Sequence, residues 1–135
     1  MKRHFEKTEA WRLTLGITPG YALEGQKELP EADFARLYQD EAEAVFAETG
    51  VFVTAVMQPV RMLYRNEWGC PPEGEFGYAL HGVRTPRFTG REAFLQALEL
   101  LAERLKARLG QAAMHLEVAE TELDYLTLDE KGADV

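Results

Sequence analysis

The sequence predicts an α+β fold: a ferredoxin-like βαββαβ sandwich whose four-stranded antiparallel sheet carries two helices on one face and extends a central β-hairpin. Three observations predict it. Two long segments repeat apolar residues at helical spacing, four others alternate with period two, and their order is strand, helix, strand, strand, helix, strand.

The first strand is read from "WRLTLGI", where Trp11, Leu13, Leu15 and Ile17 oppose Arg12 and Thr14. Before it, "MKRHFEKTE" is polar enough to predict a disordered tail, and "DEKGADV" predicts another at the far end. "TPGYALEGQKELP" is a Gly- and Pro-rich connection long enough to act as a lid. The first helix follows in "PEADFARLYQDEAEAVFAETG". Pro30 suits its first turn, Glu31 and Asp33 complement the helix dipole, and Gly50 stops it. Phe34, Leu37, Tyr38, Ala42 and Val45 form its apolar stripe, which Glu41 alone among the helix acids approaches.

"VFVTAVM" is apolar on both faces and predicts a strand in the middle of the sheet. Pro59 predicts an edge or a bulge at that point, after which "VRMLYR" resumes the alternation. "RNEWGCPPEGEFGYALHGV" supplies turn chemistry and then the return strand, with Phe76, Tyr78 and Leu80 on one face. Residues 51–65 and 76–88 are both longer than an ordinary strand, so the hairpin is expected to outreach the helices. The second helix is "REAFLQALELLAERLKARLG", capped by Thr89, closed by Gly110, and striped by Phe94, Leu98, Leu101, Leu105 and Leu109. In the last strand Met114, Leu116 and Val118 share one face. Leu123 and Tyr125 take the other parity, which predicts a bulge near residues 120–122.

A chain of 135 residues, 46% of them hydrophobic, supports one core, so one domain is expected over 1–135, with its core at about 10–128 and tails at 1–9 and 129–135. Its net charge of −8 disfavours nucleic acid and anionic membranes as partners. One cysteine makes no disulfide, and no apolar run has the length of a signal or a membrane span, so a cytoplasmic protein is expected.

No zinc spacing surrounds Cys70 and His81, no phosphate-cradling glycine motif occurs, and neither GxSxG nor HExxH is present; neither metal nor cofactor is expected. Cys70 reads as a turn thiol, since nothing nearby is placed to lower its pKa. Charge is more informative. Between Gln58 and Arg91 five arginines face three glutamates, a basic island on an acidic chain. Arg61 and Arg65 share a strand face and have the geometry to grip a carboxylate or phosphate. With Tyr64, Tyr78, His81 and Arg84 they make the candidate ligand-binding set; no catalytic residue is singled out.

Two functions follow. The first is a small soluble interaction domain that works through homo-oligomerisation or a partner protein, using the hairpin and the open sheet face. The second is a cofactor-independent enzyme or sensor for a small anionic ligand held by those six residues.

Overall fold

A computed structural model describes residues 2–18 and 28–128. The elements are β1 (Lys2–Gly16), α1 (Glu31–Thr49), β2 (Val56–Met62), β3 (Glu75–Val83), α2 (Arg91–Leu109) and β4 (His115–Thr127). They form one sheet in the order β2-β3-β1-β4, antiparallel at every step. This is the ferredoxin-like sandwich that the element order predicts.

Alternation decides which face is covered. Trp11, Leu13 and Leu15 point to the same side as their ladder partners Gly82, Leu80 and Tyr78, and the large side chains among them are buried. Phe34, Tyr38, Ala42 and Val45 of α1, with Phe94, Leu98, Leu101 and Leu105 of α2, close over them. Each such side chain is worth about 1.5–3 kcal/mol when fully buried, so a register slip by one residue would forfeit the core. Both helices stop at a glycine in the left-handed region, Gly50 at φ 78° and Gly110 at φ 65°, as the sequence predicts. Their starts differ slightly. Pro30 is the N-cap of α1, and Gly90 rather than Thr89 is the N-cap of α2.

Several strand expectations need correction. Val51 and Val53 enter the core ahead of β2, where the Tyr38 hydroxyl donates to the Val53 carbonyl at 2.6 Å. The apolar run thus fills the layer between helix and sheet, while β2 itself is an edge strand that tolerates Pro59. The hairpin ladder ends at Met62 and Glu75, short of the lengths expected. Residues 63–74 form a tip with a single 3₁₀ turn at Asn66–Trp68 and left-handed glycines at 69 and 74.

The long ribbon is instead β1 with β4, paired without a bulge from Lys2↔Thr127 to Thr14↔His115. Residues 2–9 therefore belong to a strand, not to a tail. Their polarity misleads because beyond Ala10, the last residue paired to β3, the buried positions are polar, Thr8 bonded to the Arg84 carbonyl and Glu9 paired with the Arg84 side chain, and residues 5–7 are exposed. The parity change at Leu123 falls opposite this stretch, and Tyr125 meets Phe88 edge-on with ring centroids 5.6 Å apart. "DEKGADV" and residues 19–27 of the first connection lie outside the described residues.

Candidate functional site

One face of the sheet carries no described helix, and there β1, β3 and β4 meet the hairpin tip around a cavity of about 690 Å³, within the range of small-molecule sites. Thr14 and Gly16 of β1 and His115 of β4 lie on this uncovered face, as do Met62 and Glu75. The segment Gln111–Met114 forms one wall. Leu63, Tyr64 and Trp68 of the tip form the other.

Glu75 is the chemically distinctive member. It is only 5% exposed, and its Oε1 accepts a hydrogen bond of 2.8 Å from the Tyr64 hydroxyl. Its Oε2 occupies the space that a side chain at position 16 would need, with Gln111 Oε1 only 2.9 Å from that same point. Glycine at 16 is therefore what lets a carboxylate settle against β1. Gly77, the partner of Gly16 in the ladder, likewise makes room for the Met62 methyl group. Among the described lining residues there is no Lys or Arg, so the cleft pairs an acid with mostly apolar walls. That environment suits a cationic, partly apolar molecule.

The six residues proposed from sequence do not share a site. Tyr64 alone lines this cleft. The Arg61 guanidinium stacks 4.3 Å from the centre of the Phe76 ring and donates to the Glu73 carbonyl at 3.0 Å. Arg65 pairs with Glu67. Tyr78 lies under the helices, stacked at 4.2 Å on Phe34, and its hydroxyl donates to the Leu29 carbonyl. His81 stands on the uncovered face between Arg12 and Val56.

Arg84 is buried, with Nε 2.6 Å from Glu9 Oε1, and Arg91 holds the other oxygen at 3.3 Å. The hydrogen bond from Arg84 keeps the Glu9 carboxyl below its ordinary range, against the opposing effect of burial. This cluster locks the end of β3 to β1. Cys70 is buried within the tip, where its Sγ accepts from the Tyr64 N–H at 3.5 Å. No group of three or more His, Cys, Asp or Glu among the described residues is placed to hold a metal ion, and no described helix is long and apolar enough to cross a membrane.

Sequence reasoning missed Glu75 and Gln111. Glu75 passed as one of the three glutamates set against five arginines; the signal that finds it is non-local, Gly16 at the end of β1 facing Gly77 of β3, since facing glycines mark a place where something bulky approaches the sheet.

A family model described as SAM lyase matches residues 6–127. Two solved structures share the fold. One is a phage SAM lyase in complex with S-methyl-5'-thioadenosine, with a TM-score of 0.59 and 13% identity over 89% of this chain and 90% of that one. The other is a phage SAM lyase in the apo state, with a TM-score of 0.55 and 12% identity over 90% of each chain. No curated protein matches the chain. The family match overturns the reading of the chain as an interaction domain working by protein binding, because the family it points to is one of enzymes. The second reading was closer in naming an enzyme, though its arginines do not converge.

Proposed function

We propose, because the chain belongs to the SAM lyase family, that it cleaves the bond between Cγ and sulfur in S-adenosylmethionine and releases S-methyl-5'-thioadenosine. The observation that carries this reading is the buried Glu75 carboxylate in an apolar cleft lined by no described Lys or Arg. The substrate brings two cationic groups, an ammonium and a sulfonium. The ammonium donates hydrogen bonds and fits Glu75; the sulfonium does not, and rests against the methionine and leucine side chains.

The geometry favours one route for bond cleavage. With no described cation to hold it, the substrate's own carboxylate is free to swing onto Cγ. A new C–O bond forms as the C–S bond breaks, the electron pair goes to sulfur, and the products are the thioether and a five-membered homoserine lactone. No proton moves and no water enters. Carboxylate and sulfonium charges annihilate along the path, so apolar walls speed it, and ring closure has the entropic advantage of an intramolecular reaction. The protein's part is to fold the substrate and exclude water.

Time-resolved NMR of enzyme with S-adenosylmethionine tests this: the lactone should appear with the thioether and precede any homoserine. Direct formation of homoserine, or of 2-aminobut-3-enoate by elimination, would refute the route. Glu75→Gln should lower kcat/KM ten- to hundredfold, the worth of about 1.5–3 kcal/mol for a hydrogen bond to a charged group.

We infer too that the uncovered sheet face seats a second copy of the chain. Support comes from the exposure of Val56 at 54%, Val83 at 38% and Phe88 at 67%. The measurement is the mass in solution by light scattering. A small molecule is the other partner, and it follows from the enzyme reading.

A further inference from the structure

Trp68 takes no part in the buried core. Its side chain is 64% exposed at the apex of the hairpin tip, yet it lines the cleft that holds Glu75. The tip that carries it is wired internally. Trp68 N–H donates to the Arg65 carbonyl, Gly69 N–H to that of Asn66 and Gly74 N–H to that of Pro71, at 2.9–3.0 Å. Arg61 donates to the Glu73 carbonyl, and buried Cys70 accepts from Tyr64. A large aromatic plane is thus presented at the mouth of a cleft by a segment whose backbone is already fixed, which lowers the entropic cost of using it for binding.

Position along the tip says which part of a ligand it meets. Tyr64 and Glu75 sit at the root of the tip, where the carboxylate is buried, and Trp68 sits at the apex. A ligand whose ammonium is held at the root places its other end at the apex. Resting on the function proposed above, we infer that Trp68 is the platform on which the adenine ring stacks, and so the residue that selects a nucleoside sulfonium over a smaller one. Stacking of a base on an aromatic side chain tolerates any base and is lost when the ring is removed.

The chain has two tryptophans, and Trp11 is buried under the helices, so a ligand-induced change in indole fluorescence reports on Trp68. Titration with S-methyl-5'-thioadenosine should quench it. By calorimetry, Trp68→Ala should weaken that ligand about tenfold or more, Trp68→Phe only a few-fold, while inhibition by S-methylmethionine, a sulfonium without the nucleoside, stays unchanged. KM for S-adenosylmethionine should rise with kcat nearly constant, as expected for binding equal in ground and transition states.

If the wild-type protein binds the thioether and Trp68→Ala binds it equally well, the inference is overturned and the lyase reading stands. An equal loss for both ligands would also overturn it, by showing a contact with the sulfonium. Failure of the wild-type chain to bind the thioether at all would overturn the lyase reading and this one with it.

Discussion

A methyl group at position 16 would collide with the carboxylate of Glu75 and come within 2.9 Å of Gln111 Oε1, both at the ends of flexible side chains. Gly16 is not in the left-handed region, so alanine there strains no backbone. Gly16→Ala should therefore fold, with Tm within a few degrees of wild type, and yet lose at least tenfold in kcat/KM because Glu75 is pushed out of the cleft. Normal turnover in that variant would show that the seat of Glu75 is dispensable. Gly77→Ala is the contrast, since its new methyl group would meet the Leu15 carbonyl, which is backbone and cannot step aside. Burial of Glu75 depends on Gly16, which lies on a strand about sixty residues away in sequence, whereas Tyr64 was singled out by its place on an alternating strand. No local pattern announces the first, and sequence reasoning accordingly favoured the arginines, whose charge is visible without knowing what neutralises it.

At the scale of elements, one acid bridges the two helices beside their shared apolar core. Glu41 of α1, 8% exposed, receives Arg104 Nε and Arg108 Nη1 of α2, each at 2.7 Å. Burial alone would raise its pKa, but hydrogen bonds from Arg108 and Arg104 outweigh burial and hold it below the ordinary 4.5. A carboxyl whose folded pKa is depressed stabilises the fold fully above its unfolded value, and that contribution disappears as pH falls through the folded one. Thermal unfolding followed from pH 6 to pH 3 should show Tm falling below about pH 4.5. Glu41→Gln should unfold a few degrees lower at pH 7, on the order of 1–2 kcal/mol given two half-exposed arginines, and should fall less steeply in acid. An identical pH slope in the variant would remove Glu41 from the account. The helices, their stripes and Glu41's approach to the stripe were legible because 3.6-residue periodicity is written locally. The extent of β1 and β4 was not. Residues 5–7 of β1 are exposed and the buried positions next to them, Thr8 and Glu9, are polar, so backbone pairing holds the strands there without leaving a hydropathic trace.

Across the whole molecule, the layer count is uneven: two helices cover one sheet face and nothing described covers the other. Antiparallel sheets tolerate this when the open face is polar. Here the centre of that face is small, with Ala79 and Gly77 buried beneath their neighbours, and its margin carries exposed Val56, Val83 and Phe88. Arg12 stands opposite Glu117 in the β1–β4 ladder, which leaves the charges of the middle of the face nearly balanced. Two copies each bearing −8 repel at long range, while apolar contact between such faces acts only at short range. Association should then grow stronger with salt, because screening weakens the repulsion and leaves the contact intact. Light scattering at 20 mM and 300 mM salt should show a mass above the 15.3 kDa of one chain, with the dissociation constant lower at the higher concentration. Val83→Glu, placed on the margin of this face and outside the cleft lining, should return the protein to monomers while the helical layer stays folded. A particle of one-chain mass at every salt concentration would leave the face a solvated surface and confine the function to a single copy.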